Sequence, residues 1–432
     1  YPYKNDVAES IRLKVFKEAL QDLSAMKMLA EKNKPASVAV ISVANFRQLN
    51  ETTGYETGDS VIIAAADALN NLFGKGEPVC RVDGARFAVL FSEGDSEKAC
   101  SRINSAADAI QACIKEKCSL KVNIISGVYT AGNEETSIMA AFDRAILAQK
   151  TVKDKAYYTS NMTVVYDDKM NGELLSKQFI ESHMVEALEN NEFKVFYQPK
   201  VDPATGRIAG AEALVRWIRP DGEIISPGRF IPLFERNGFI SDMDFAVYRN
   251  VISDIRKWQS MGIDIPTISL NVSRDHLSDD TFVENICVMA FKSGVSSSRI
   301  ELEITESMLN DNMSRLIDTM AALKDAGFKI SIDDFGSGYS SLNLIALLPC
   351  DTLKIDGGFF LKNELTDKNK AVIASVIELA KKLKFTVVSE GVETDEQVEF
   401  LRRLECELIQ GYYYYKPMPP QEFEKLLIEQ YG

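Results

Sequence analysis

Histidine is nearly absent from this chain: its 432 residues include only His183 and His276. That scarcity rules against a His-rich metal site or a His-based nucleophile relay, leaving any catalysis to carboxylates, amides and lysines. Cysteine is sparse as well. Cys80, Cys100, Cys113, Cys118, Cys287, Cys350 and Cys406 form no CxxC pair, and such a scattered odd set reads as free thiols in a reducing compartment. No apolar run approaches the ~20 residues of a membrane span. Basic residues are in the minority, 49 Lys and Arg against 63 Asp and Glu for a formal net charge of -14. Binding to a nucleic-acid polymer through its backbone is therefore a poor expectation. The start, Tyr1-Pro2-Tyr3, shows no signal-peptide pattern. The expected setting is cytoplasmic, with an upstream sensory or membrane region left open.

What is present fits two globular domains. Apolar residues make up 46% and charged residues 26%, and the length exceeds that of one typical domain. The first third alternates helical and strand patterns. A helix is expected over Asp6 to Ala30, a strand over Ser37 to Val43 and a helix over Gly58 to Phe73. Val79 to Val82 and Arg86 to Phe91 read as a hairpin turning at Asp83-Gly84. A helix over Ser96 to Glu116, a strand over Leu120 to Tyr129, a helix over Glu135 to Lys150 and a strand over Tyr157 to Asp168 follow. Asp167 to Gly172 breaks the pattern before a helix over Glu173 to Asn190, which places the domain boundary near residue 170: 1–170 and 171–432.

The second domain repeats short apolar strands, each followed by a helical stretch: Ile208 to Val215, Thr267 to Val272, Ile300 to Ile304, Lys329 to Asp333, Thr352 to Ile355, Thr386 to Glu390 and Glu407 to Gly411, with the strand Lys194 to Gln198 in front. Eight strands within the 262 residues from position 171 match the ~250 typical of a (β/α)8 barrel with parallel pairing. Polar residues sit where the strands stop, at Asn271, Glu303, Asp333, Asp334, Glu390 and Gln410, with Lys354 in Thr-Leu-Lys-Ile and Glu212 within Ala-Glu-Ala-Leu. In a barrel those ends share one mouth, so residues about 200 positions apart would converge. Any one of them alone could cap a helix or pair with a surface lysine; the full set on one rim favours a site. Uncompensated buried carboxylates are costly, and an oxygen-only set suits Mg2+ or Mn2+ better than Zn2+. Two such ions would suit phosphoryl chemistry, with Lys354 orienting or deprotonating water or offsetting charge. The run Tyr412 to Tyr415 alternates faces on a strand and reads as packing; His276 reads as a loop or helix-start residue.

Gln198-Pro199, Glu212-Ala213-Leu214-Val215-Arg216-Trp217, Leu270-Asn271-Val272-Ser273, Glu303-Ile304-Thr305-Glu306-Ser307, Asp333 to Leu342, Leu353-Lys354-Ile355-Asp356, Glu390-Gly391-Val392-Glu393-Thr394 and Gln410-Gly411-Tyr412 occur in that order. Together they closely resemble the EAL family of cyclic di-GMP phosphodiesterases over residues 175 to 425. The resemblance implies Mg2+- or Mn2+-dependent hydrolysis of cyclic di-GMP to linear pGpG. It implies that Glu212, Asn271, Glu303 and Asp333 bind metal, with Asp333 and Asp334 reaching a second ion. Lys354, Glu390 and Glu212 would be catalytic; Gln198, Leu214, Arg216 and Asp356 would contact the nucleotide. Gln410 and Glu306 would be supporting residues, Glu306 holding the loop that begins at Asp333 and that the family uses in dimer coupling, so a homodimer through this domain is expected. Arg219 and Phe234 depart from the usual His and Ala without removing a ligand. A non-catalytic cyclic di-GMP receptor is the alternative reading.

The first domain is similar to a GGDEF diguanylate cyclase domain, an α/β sandwich around an antiparallel-containing sheet, but in degenerate form. Arg81-Val82-Asp83-Gly84-Ala85-Arg86-Phe87 stands in place of the signature, and Ser42 replaces its first metal-binding Asp. Two carboxylate-bound metals cannot be held by Ser, Ala and Arg. The product-inhibition motif is missing at Gly74 to Glu77. Asn50, Asp59 and Lys150 match residues that contact GTP, leaving a regulatory GTP site beside the favoured structural or dimerising role.

Overall fold

A computed structural model of the protein describes residues 36–73, 77–131, 138–153, 160–310, 313–336, 345–363 and 366–431. The chain divides between Ser176 and Lys177 into two compact units. The helix expected over Asp6 to Ala30, residues 74–76 and most of the serine- and glycine-rich stretch after Asp334 lie outside the described residues.

The first unit is a five-stranded sheet with helices. Strands β1 (Ser37–Val43), β2 (Val79–Asp83), β3 (Arg86–Phe91), β4 (Ile124–Thr130) and β5 (Met162–Val165) run in the order β2-β3-β1-β4-β5. All neighbours are antiparallel except β4 and β5. The β2–β3 hairpin turns on Gly84-Ala85, one residue later than expected, because Asp83 still pairs with Arg86 and Gly84 supplies the positive φ of 45°. Apolar alternation splits the sheet: Ala39, Ile41 and Val43 join one core, while Val38 and Val40 join Phe142 and Ala145 in another. Gly127 on β4 lies so close to the helix Ile138–Lys153 that a Cβ would sit 2.1 Å from the Ala145 carbonyl oxygen. The expected break at Asp167 to Gly172 is instead a helix start. Asp167 accepts a hydrogen bond from the Lys169 amide (3.1 Å), as a capping residue does, and the helix runs Asp168–Glu189 through Gly172.

The second unit is a closed barrel. Its strands are β6 (Phe193–Val201), β7 (Ile208–Ile218), the short edge β8 (Ile224–Ile225), β9 (Thr267–Asn271), β10 (Ile300–Thr305), β11 (Lys329–Phe335), β12 (Thr352–Ile355), β13 (Thr386–Ser389) and β14 (Leu408–Ile409). Their order is β6-β14-β13-β12-β11-β10-β9-β7-β8, and β6 also pairs with β7, which closes the ring. One expectation needs correction: β6 is antiparallel to both its neighbours. Only residues 202–207 separate β6 from β7, too few for the crossover that parallel strands require, and Asp202 ties the turn by accepting from the Ala204 amide at 2.8 Å. The other barrel neighbours from β7 through β9 to β14 are parallel.

Strand alternation sorts the barrel residues. Ile268, Leu270, Ile300, Leu302, Ile304, Ile330, Ile332, Leu353 and Ile355 belong to the main hydrophobic core. Their neighbours Ser269, Glu301, Glu303, Ser331, Asp333, Thr352 and Lys354 are equally buried but polar, and they occupy the opposite strand face. The Tyr412 to Tyr415 run is not a strand: β14 ends at Ile409 and turns follow. Gly411 packs against Val392 with no space for a Cβ, and the Tyr414 and Tyr415 amides fold back onto its carbonyl. Tyr412 and Tyr413 are consequently exposed. His276 lies in the helix Arg274–Ser278, buried against Phe282 with Nε2 3.2 Å from Asp244. Phe234 fills an aromatic cluster with Phe193, Trp217, Phe230 and Phe239.

Candidate active site

Lys354 is the hub of the barrel mouth. It is fully buried on β12, and its Nζ lies 2.5 Å from Glu303, 2.7 Å from Glu390, 3.0 Å from Asp333 and 3.3 Å from Glu212. Burial opposes its charge, but the four carboxylates outweigh that and hold its ammonium well above the ordinary lysine range. One cation thus faces four acids. Register explains the gathering: Glu303 pairs in the ladder with Asn271 of β9, and Thr305 at the end of β10 pairs with Asp333 of β11.

Glu212, Asp333 and Glu390 report the imbalance differently. Glu212 is buried, yet Lys354 and Lys200 together with the Gln410 and Asn271 amides overcome the desolvation and hold its pKa at about 2. Its Oε1 accepts from Asn271 Nδ2 at 2.9 Å and its Oε2 from Gln410 Nε2 at 2.7 Å. Asp333 is pushed up to about 6 by burial and then by the neighbouring Glu303, Glu212 and Asp334, against the pull of Lys354. Glu390 is pushed up to about 8, again chiefly by burial and then by repulsion from Asp333, Glu212 and Glu303. Asp334 is also raised, first by burial and then by Asp356. Clustered acids that resist ionisation mark a place short of positive charge.

Asp333 and Asp334 are consecutive, and on a regular strand their side chains would point to opposite faces. The β11–β12 register shifts between Ile332 and Phe335, and Asp334 takes a left-handed φ of 55°. This bulge re-aims the pair. Carboxylate oxygens of Asp333, Asp334 and Glu390 lie within 4.8 Å of one another, as do those of Glu212, Glu303 and Asp333. The two groups share Asp333, offer only oxygen, and suit hard divalent cations. Beyond the bulge, Glu306 accepts from the Gly336 amide at 2.7 Å and so anchors the end of β11. Gly336 has a φ of 97° and abuts the Phe359 ring, so no side chain fits there.

The remaining expected residues are placed as follows. Gln198 lies opposite Glu212 in the β6–β7 ladder; its Oε1 accepts from Gln410 at 3.2 Å and its Nε2 donates to the Tyr415 carbonyl at 3.2 Å. Leu214 and Arg216 line a cavity of about 300 Å³ that also takes in Glu212, Glu235, Asn271 and Ser273. Arg216 is half-buried over the Phe196 ring, and desolvation lowers its pKa. Asp356 accepts from the Gly358 amide at 3.0 Å. In the first unit, Asn50 and Asp59 lie on the consecutive helices Phe46–Thr53 and Tyr55–Leu72, and Lys150 is exposed on the helix Ile138–Lys153. Among the described residues no hydrogen bond or ion pair joins these three.

Lys200 and Glu301 were missed by sequence reasoning. Lys200 is buried on β6 and donates to Glu303 Oε1 (2.8 Å), Glu301 Oε2 (3.0 Å) and Ser269 Oγ (2.6 Å). Glu301 also accepts from Thr352 Oγ1 at 2.6 Å. A signal existed: Glu301 is two residues before Glu303 and shares its strand face, and Lys200 interrupts an apolar strand two residues after Gln198.

Residues 182–417 match the EAL domain family, and residues 14–156 match "Diguanylate cyclase, GGDEF domain". The cyclic di-GMP phosphodiesterase NbdA of Pseudomonas aeruginosa is 29% identical over 405 residues, covering 92% of this chain and 50% of NbdA. The oxygen sensor protein DosP of Escherichia coli is 28% identical, covering 91% of this chain and 49% of DosP. The chain thus spans about half the length of these curated relatives. Among solved structures, the PaMucR phosphodiesterase in complex with c-di-GMP is 33% identical with a TM-score of 0.55, covering 57% of this chain and 99% of that one.

Proposed function

Because this chain belongs to the EAL domain family, we propose that its barrel is a cyclic di-GMP phosphodiesterase that opens one phosphodiester bond to give linear pGpG. The observation that carries the reading is the mouth in which Lys354 meets all four of Glu212, Glu303, Asp333 and Glu390, while the second lysine, Lys200, is shared between Glu303 and Glu301. That excess of negative charge fits divalent cations. In this reading Glu212, Asn271, Glu303 and Asp333 hold one Mg2+ or Mn2+, and Asp333, Asp334 and Glu390 border a second. Bound there, the ions would acidify water and offset charge on the phosphate.

The chain's own residues divide the remaining work. Lys354, kept protonated by its four neighbours, cannot serve as the base; it orients the attacking water and stabilises the oxyanion. Glu390, at the edge of the cluster and bordering the second ion, takes the water's proton. The cavity beside Glu212 accepts one nucleobase, with Arg216 and Gln198 as its polar partners and Leu214 as an apolar wall. Asp356, whose charge is felt at Asp334, contacts the other half of the nucleotide. Glu306 and Gln410 hold the Asp333 bulge and Glu212 in place.

The first domain carries no cyclase chemistry in this proposal. Ser42, Ala85 and Arg86 provide no carboxylates, and Arg86 is already paired with Asp83 at 3.2 Å. It serves as scaffold, and the protein works as a homodimer through the barrel. The deciding experiment incubates purified protein and Mg2+ or Mn2+ with cyclic di-GMP, with and without GTP, and follows pGpG by chromatography. Binding of cyclic di-GMP without hydrolysis would make the protein a receptor instead.

A further inference from the structure

The mechanism leaves one buried cation without a task. Lys200 is 2% exposed, and a lysine ammonium is costly to bury where a packed apolar side chain could stand. Its contacts are specific. Glu303 has its two oxygens held by two different lysines, Oε1 by Lys200 at 2.8 Å and Oε2 by Lys354 at 2.5 Å. Glu301 is held on both oxygens as well, Oε1 by Thr352 at 2.6 Å, Oε2 by Ser269 at 2.6 Å and by Lys200 at 3.0 Å. Glu301 is therefore fully committed and belongs to neither acidic group that could hold an ion. Lys200, Glu301, Ser269 and Thr352 form a polar layer beneath the mouth, contributed by β6, β10, β9 and β12.

We propose that Lys200 is a positioning residue: clamped by Glu301 and Ser269, it fixes the Glu303 carboxylate so that this ligand is aimed before a divalent cation arrives. The inference rests on the metal reading given above. Its energetic logic is that a ligand held by a rigid partner loses little freedom when the ion binds, so affinity depends on the support beneath it. Lys200 and Glu301 cancel in charge. Removing both leaves the net charge of the mouth as it was and takes away the support of Glu303 Oε1, together with the Lys200 bond to Ser269 in the layer beneath. Removing Lys200 alone would strand Glu301 without its cation.

The test is therefore the double variant Lys200→Met/Glu301→Gln in the full chain. Mn2+ affinity is measured by electron paramagnetic resonance, folding by circular dichroism, and kcat and KM for cyclic di-GMP at saturating Mn2+. The expected result is a folded protein whose Mn2+ affinity falls about 10–100-fold, the range for lost support of a metal ligand. Its kcat should drop while KM stays within about twofold. Mn2+ affinity within about twofold of the parent would overturn the inference, as would loss of folding, which would make Lys200 an element of stability. A parent protein that binds no Mn2+ would defeat the metal reading itself, and this inference with it; that outcome is visible before any variant is made.

Discussion

In the barrel, four carboxylates converge on Lys354; in the five-stranded sheet, Ser42, Ala85 and Arg86 present a hydroxyl, a methyl and a guanidinium. Ser42 accepts a hydrogen bond at 2.9 Å from the buried amide of Gln149, which also donates to the Val40 and Ile125 carbonyls. Ala85 is buried in the hydrophobic core, and Arg86 pairs with Asp83. The sheet's polar groups are thus largely answered from within, whereas those of the mouth are left short of positive charge. Among the described residues, both acidic groups able to hold an ion lie in the barrel. The contrast teaches that a fold and its charge imbalance are separable: backbone ladders and apolar cores keep the sheet intact without carboxylates.

The sharpest way to break the contrast is at Glu212 and Lys354. Glu212→Gln and Lys354→Met should each lower kcat by about 10³-fold or more, since the proposed function makes one a metal ligand and the other the cation that orients water; retention of a tenth of parental turnover would refute the assignment. Lys354→Met should also destabilise the metal-free protein by about 3–5 kcal/mol, because the buried Glu212, Glu303 and Asp333 and the partly buried Glu390 lose their shared cation. Urea denaturation measures this.

A second prediction concerns pH. Asp333 and Glu390 have folded pKa values of about 6 and about 8, above their ordinary 3.8 and 4.5. Raised acids favour the folded state fully below their unfolded pKa, and that contribution is lost as pH rises through the folded values. Metal-free stability from this pair should therefore decline between about pH 4 and pH 8. Glu212, lowered from 4.5 to about 2, behaves oppositely: its contribution is present above its unfolded pKa and is lost as pH falls toward 2. Mg2+ relieves the repulsion, so it should raise Tm more at pH 8 than at pH 5; an equal rise at both would contradict the charge imbalance.

Smaller effects test the sheet. Gly127→Ala would force a Cβ to 2.1 Å from the Ala145 carbonyl and 2.3 Å from the Gln149 amide, costing about 1–3 kcal/mol. Differential scanning calorimetry should register this loss while kcat of the barrel changes less than about twofold. The smallest expected effect is that of GTP, which should leave turnover unchanged. A rise that Asn50→Ala or Asp59→Ala abolishes would instead make the sheet domain a nucleotide sensor.

Much of this was legible in residue order. The placing of Glu303, Asp333 and Lys354 near strand ends followed from alternation and strand length, because parallel strands of a barrel end at one rim; Glu212 instead lies in the middle of β7 (Ile208–Ile218). The antiparallel β6 was not anticipated, although the short Asp202 to Arg207 connection already excluded a crossover. The helix start at Asp168 was obscured by Gly172, which reads as a breaker in isolation but is tolerated inside a helix capped by Asp167.

The sequence by itself determined the residue types: an acid-rich, histidine-poor chain with carboxylates at strand ends, able to present oxygen ligands and one lysine to a shared mouth. Only the tertiary structure decided which charges meet. The Asp333-Asp334 bulge turns two consecutive side chains toward one place, and Lys200 reaches across the barrel from β6 to Glu301 and Glu303. Such pairings join residues about a hundred positions apart, and the physical reason is that alternation specifies a strand face while barrel closure and local backbone strain specify the neighbour found there.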